Sequence, residues 1–117
     1  MTYVTNPATA WLVLVVAGIL EVVWVIGMKY SEGFTRLWPS LVVLLAASFS
    51  FWFLALAIRV LPVGTAYAAW TGIGAVGAAV LGMVLFKEPA TAARVACIVL
   101  IVAGIVGLKI LEPDGGA

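Results

Sequence analysis

The chain has 117 residues, of which 66% are hydrophobic and only 9% are charged, and its formal net charge is +1. A soluble domain carries about a quarter charged residues, so this composition excludes a water-facing surface. Disorder and nucleic-acid binding are excluded as well, because the sequence contains no basic block.

Four apolar stretches are long enough to cross a membrane, whose ~30 Å hydrocarbon core takes about 20 residues of helix. In chain order, we predict transmembrane helices at about 9–28, 37–58, 63–86 and 92–111, followed by a polar tail at 112–117. The fourth has a short charge-free run, so its flanking cations Arg94 and Lys109 must extend to the interfaces. The sequence therefore predicts an all-α integral membrane protein with one four-helix domain at 1–117.

The first stretch does not match a cleaved signal peptide. Residues 1–8 contain no Lys or Arg, and the apolar run is long and interrupted by Glu21. The sequence has no histidine, and its single cysteine, Cys97, lies in an apolar run, so a zinc site or disulfide within one chain is excluded. No nucleotide or cofactor motif fits in the loops. We expect no enzymatic activity, no metal and no cofactor, so any transport would need an ion gradient or a partner.

The basic residues give only a weak signal for orientation. With four helices, the N-terminus, the second loop and the C-terminus share one side, which carries Arg59 and Lys109. The opposite side carries four basic residues, Lys29, Arg36, Lys87 and Arg94. This small difference weakly favours an orientation in which the side with four basic residues faces the inside of the cell. Both a single topology and insertion in both orientations, which would allow antiparallel pairing, remain open from the charge alone.

Glu21 is the clearest functional signal in the sequence. It lies about midway along the first span, where a charged side chain costs at least about 2.5–3.5 kcal/mol. A protonated glutamate that only bonds a neighbouring helix is the alternative, but no intramembrane Lys, Arg or His is present to pair with it. We interpret Glu21 as a group that exchanges a proton for a cation. Trp24 shares its helix face and can donate its indole N–H to the carboxylate.

The third span carries a stripe of aromatic and small residues. Tyr67, Trp70, Gly74 and Gly77 fall on one face of the predicted helix. Aromatic faces near a carboxylate suit a cation site, although such a stripe is more often ordinary packing. The glycines also allow a bend, and we expect a helix hinge at Gly72, Gly74 and Gly77.

Small residues also define one face of the fourth span. Ala96, Ala103 and Gly107 follow one another at heptad-like spacing. Small residues let the backbones of membrane helices approach closely. This face therefore predicts a seam between helices of two chains.

Several segments resemble the small multidrug resistance family, and within it the guanidinium exporter subtype. The similarity covers about Trp11 to Leu111, and its segments are GILEVVW at 18–24, KYSEGFTRLWPS at 29–40 and LPVGTAYAAWTGIGAVG at 61–77. Drug-exporting members usually have Gly where this chain has Trp24, and they lack the pattern of Thr65 and Thr71. The assignment to the subtype rests on those positions.

The resemblance implies a bacterial inner-membrane exporter that works as an antiparallel homodimer. By position, Glu21 would be the carboxylate shared by proton and substrate, and Trp24 and Ser50 would be donors that orient it. Tyr67 would be the gate and hydrogen-bond partner between two central carboxylates, and Trp70 a wall or donor of the pocket. The implied partners are guanidinium and small substituted guanidines, protons, membrane lipid and a second copy of the chain.

The leading hypothesis is a proton-coupled antiporter that exports guanidinium by alternating access. A polyspecific quaternary-ammonium exporter of the same family is the runner-up, and Trp24 argues against it. A non-transporting membrane assembly subunit is an alternative of a different class, and it would tolerate Glu21→Gln. One half of a paralogous heterodimer also remains compatible with the distribution of basic residues.

Overall fold

The structure is a computed structural model that describes residues 6–111. It contains four helices, α1 (Pro7–Ser31), α2 (Leu37–Ile58), α3 (Val63–Leu85) and α4 (Ala92–Leu111). Each is long and apolar enough to cross a membrane, which confirms the predicted architecture of four apolar helices. The predicted polar tail at 112–117 lies outside the described residues.

The first helix is longer at both ends than the predicted stretch at 9–28. At its start, the side chain of Asn6 accepts a hydrogen bond from the backbone N–H of Thr9 at 2.9 Å, and Pro7 takes the first helical position. This pairing of a capping Asn with a Pro is favourable because the first N–H groups of a helix have no partner within it. At its end, Glu32 adopts a left-handed conformation, and its N–H donates to the carbonyl of Lys29.

The packing of the protomer centres on α1. This helix contacts α2 on one side and α3 on the other, while α4 packs against α3, in a flat arrangement of 43 × 36 × 16 Å. A buried apolar cluster joins the start of α1 to the facing ends of α2 and α3. Its members include Ala10, Trp11, Leu14, Ala17, Leu54, Leu56, Ala57, Leu61, Ala66, Ala69 and Trp70.

Glycines allow these helices to approach closely. A Cβ at Gly18 of α1 would lie 2.8 Å from the Cβ of Ile73 in α3, and one at Gly72 would lie 2.7 Å from the Cδ1 of Ile105 in α4. A larger residue at either position would displace the neighbouring isoleucine side chain. Backbone approach of this kind is a common way for membrane helices to associate, because lipid offers no hydrophobic driving force between them.

The fourth helix contains no buried residue. Ala96 and Ala103 are exposed, Gly107 is half-buried, and a Cβ at Gly107 would meet nothing within 4 Å. The seam predicted from these residues therefore lies on the surface of the protomer. This is the surface that a second chain would have to cover.

Candidate functional site

The carboxyl group of Glu21 is enclosed between α1 and α3. The residue is only 9% exposed, and its side chain lies against the backbone of Gly74. A Cβ at position 74 would lie 2.8 Å from the Cγ of Glu21 and still closer to its carboxyl group. Glycine at position 74, which the sequence predicts as part of a hinge, thus also makes the space that Glu21 occupies.

Two buried polar atoms near this position have no hydrogen-bond partner among residues 6–111. They are the Oε1 of Glu21 and the indole Nε1 of Trp24. An unpaired buried polar group costs about 1–3 kcal/mol, and native proteins leave few of them unpaired. Glu21 and Trp24 thus place an unpaired acceptor and an unpaired donor about one turn apart on α1.

No basic side chain in the described part of the chain pairs with Glu21. The two ion pairs found there, Glu32–Arg36 and Glu88–Arg94, lie in or next to the loops that join the helices. Within residues 6–111, no group of three or more His, Cys, Asp or Glu side chains lies together to hold a metal ion.

Ser50 of α2 connects α1, α2 and α3 through two hydrogen bonds. Its contact on α1 lies one helical turn before Glu21. Its hydroxyl donates to the backbone carbonyl of Ala17 at 2.7 Å and accepts from the indole N–H of Trp70 at 3.0 Å. In an α-helix the carbonyl of residue 17 also pairs with the N–H of residue 21, so this network fixes the turn on which Glu21 stands.

The predicted hydrogen bonds from Ser50 and Trp24 to Glu21 are not formed in this protomer. The Ser50 hydroxyl is directed to Ala17 instead, because that carbonyl lies opposite it on α1. The Trp24 N–H has no partner in the described range 6–111. Trp70, predicted as a wall or donor of the pocket, donates to Ser50 and is 5% exposed.

Four aromatic rings form a continuous row beside these polar groups. The ring centroids of Trp24 and Phe51 are 6.1 Å apart, those of Phe51 and Trp70 are 5.6 Å apart, and those of Trp70 and Tyr67 are 5.6 Å apart. Tyr67, at the end of the row, is 56% exposed. Aromatic faces of this kind attract cations.

Phe51 joins the two indoles, and the sequence analysis did not identify it. It lies in an aromatic run at 49–53, and no pattern in that run distinguishes it from its neighbours. Its position directly after Ser50 is no signal either, because consecutive residues of a helix point about 100° apart. The structure therefore adds Phe51 to the predicted residues around Glu21.

Comparison with known proteins gives the family. The sequence pattern described as "Small Multidrug Resistance protein" matches residues 9–101, which is most of the chain. The chain belongs to the small multidrug resistance family. The resemblance carried by the segments at 18–24 and 61–77 is thereby confirmed.

Within this family, the chain is similar to proteins named guanidinium exporters. The one from Yersinia pseudotuberculosis serotype I (strain IP32953) is 58% identical over 101 residues, which are 86% of this chain and 97% of that protein. Those of Salmonella typhimurium and Escherichia coli (strain K12) are 58% and 56% identical, covering 86% of this chain and 96% of each relative.

Family membership and the four spanning helices together define the setting in which the site works. The chain is a multi-pass protein of the bacterial inner membrane, and it belongs to a family of transport proteins. The predicted localisation is confirmed. The individual roles assigned to Glu21 and the residues around it, the hinge glycines and the seam on α4 remain predictions.

Proposed function

We propose that the protein exports guanidinium in exchange for protons, and that Glu21 binds the two in turn. The observation that carries this proposal is the buried, unpaired carboxylate oxygen of Glu21, which lies against Gly74 and one turn from the unpaired N–H of Trp24. The names of the similar proteins, which are guanidinium exporters, support the choice of substrate.

The chemistry of guanidinium matches these groups. The ion is planar and carries N–H donors along its edge, and a carboxylate accepts two such donors in parallel. Its flat face can lie against an aromatic ring, where the ring quadrupole attracts the positive charge. The carboxylate of Glu21 would supply the acceptors, and the row from Trp24 to Tyr67 would supply the ring faces.

Coupling to protons follows from the use of one carboxylate for both ligands. A protonated Glu21 cannot also hold the cation, so proton and guanidinium exclude each other. Guanidinium binds on the side where protons are scarce and leaves on the side where they are abundant. A proton gradient across the membrane thereby drives export, and the chain needs no nucleotide site for this purpose.

We propose an antiparallel homodimer as the working unit. The flat protomer leaves Tyr67 exposed next to the site and leaves α4 without buried residues, and a second chain would cover both. The difference in basic residues between the two sides, four against two, is small enough to be compatible with insertion in both orientations. Tyr67 would then gate the space between the two Glu21 carboxylates, and the glycines at 72, 74 and 77 would let α3 bend as access alternates.

Substrate selectivity tests this proposal. Purified protein in proteoliposomes should give pH-coupled transport of guanidinium and short substituted guanidines. Large quaternary ammoniums have no N–H to donate, and sites built for hydrogen-bonding substrates reject such analogues by factors of ~10⁴ or more. Robust transport of tetraalkylammoniums and none of guanidinium would assign the protein to the drug-exporting class instead. Trp24→Gly, which removes the unpaired donor, should erode the preference for guanidinium.

A further inference from the structure

A cavity of about 510 Å³ lies where α1 and α3 end and α4 begins, and its lining starts at Val25, about one helical turn beyond Glu21. Its wall toward the middle of the membrane is apolar and includes Ile26, Ala78 and Ala79, whereas its outer part carries Lys29, Glu88 and Arg94. Apolar and charged surfaces thus meet at the level at which the chain leaves the membrane.

The ammonium group of Lys29 forms no ion pair with a carboxylate in the described part of the chain. It lies 5.6 Å from the centroid of the Phe86 ring and takes part in neither of the two ion pairs found among residues 6–111. Four basic and two acidic side chains lie at this end of the described structure: Lys29, Arg36, Lys87, Arg94, Glu32 and Glu88. The rim of the cavity is therefore positive overall.

Arg94 is held at the same rim by Glu88. The guanidinium Nη2 donates to the Oε1 of Glu88 at 2.7 Å, and the same oxygen would lie 2.5 Å from a Cβ built at Gly82. Gly82 thus makes room for the carboxylate that fixes Arg94. A guanidinium has five N–H donors, so Arg94 retains donors for a second acceptor.

We propose that this cavity binds an anionic phospholipid, with the headgroup phosphate near Lys29 and Arg94 and an acyl chain along Ile26, Ala78 and Ala79. Basic pockets between membrane helices suit anionic headgroups, and this one opens at headgroup depth. A soluble anion would use the charges but not the apolar wall. The inference rests on the membrane location of the chain and not on the proposed transport activity.

Native mass spectrometry of the purified protein, titrated with phosphatidylglycerol or phosphatidylcholine, tests the inference. Wild-type protein should bind the first phosphatidylglycerol more tightly than phosphatidylcholine. Lys29→Gln should weaken that first phosphatidylglycerol about fivefold, which corresponds to the ~1 kcal/mol that one basic residue contributes at an anionic surface. Lys29→Arg should keep the wild-type affinity, and phosphatidylcholine binding should not change.

Arg59→Gln is the matched control, because Arg59 is an exposed basic residue in the α2–α3 connection and does not line the cavity. It should leave phosphatidylglycerol binding unchanged. Equal affinities in wild type and Lys29→Gln, or equal losses in Lys29→Gln and Arg59→Gln, would overturn the proposal. Displacement of the lipid by millimolar inorganic phosphate would assign the cavity to soluble anions. A loss of dimer in Lys29→Gln with unchanged lipid binding would assign it to a second copy of the chain.

Discussion

The unit formed by α1, α2 and α3 and the single helix α4 are built from similarly apolar sequence but are buried to very different extents. A third of the most apolar stretch of α1 lies inside the protomer, and none of the corresponding stretch of α4 does. In the three-helix unit, glycines bring backbones together and Ser50 connects all three helices. On α4, glycine and alanine face outward.

This difference separates two uses of small residues in a membrane chain. Gly74 is required by a neighbour in its own protomer, because the side chain of Glu21 occupies the space beside it. A Cβ built at Gly107 would meet nothing within 4 Å, so no neighbour in the described protomer requires a small residue there. The three predictions that follow test this distinction, from the largest expected effect to the smallest.

Gly74→Ala should have the largest effect. The added Cβ would overlap the carboxyl group of Glu21, and overpacking of this kind costs about 1–3 kcal/mol. We expect the free energy of unfolding to fall by about 2–3 kcal/mol and guanidinium transport to fall at least about tenfold, since the carboxylate must move.

The matched control for this change is Gly64→Ala on the same helix, where a Cβ would meet nothing within 4 Å. Thermal unfolding in detergent and transport in proteoliposomes should both stay near the wild-type values in the control. Equal behaviour of the two variants would show that Glu21 does not lie against Gly74.

Glu21 and Gly74 illustrate which features of the fold and of the site can be predicted from the sequence. The lengths and apolar runs of the four helices could be predicted because the membrane dictates both. Glu21 could be predicted because a carboxylate at that depth is costly. The contact between Glu21 and Gly74 could not, since spacing within α3 does not say which residue of α1 lies opposite. The pairing of Ser50 with Ala17 depends in the same way on the relative rotation and axial position of α1 and α2.

Ala103→Phe should affect the surface of α4 and not the three-helix unit, whereas Gly74→Ala acts within that unit. Ala103 is exposed on the protomer, so the change should leave the three-helix unit intact while it blocks the seam on α4. We expect the dimer dissociation constant to rise at least about tenfold, which is ~1.4 kcal/mol. Val102→Phe, also exposed but about 100° around the helix, is the control and should dimerise normally. Sedimentation in detergent measures both, and an unchanged dimer in Ala103→Phe would contradict the seam.

Ser50→Ala should have the smallest of these effects. It removes the acceptor of the buried Trp70 N–H, and hydrogen bonds between membrane helices contribute about 0.6–1.7 kcal/mol. We expect a loss of about 1 kcal/mol in unfolding free energy. Ser48→Ala should change stability by no more than about 0.5 kcal/mol, because the exposed Ser48 hydroxyl bonds only to Leu44 of its own helix. Equal losses in the two variants would remove Ser50 as the link between helices.

The central claim is that one buried carboxylate binds proton and guanidinium in turn, and Glu21→Gln tests it most directly. Gln has nearly the shape of Glu but cannot exchange a proton, so the folded dimer should remain intact. Proteoliposomes with an imposed guanidinium gradient and an internal pH dye report the proton flux. Wild-type protein should move protons against guanidinium, and the Gln variant should give no flux above that of empty liposomes. Proton flux at the wild-type rate in Glu21→Gln would contradict the account.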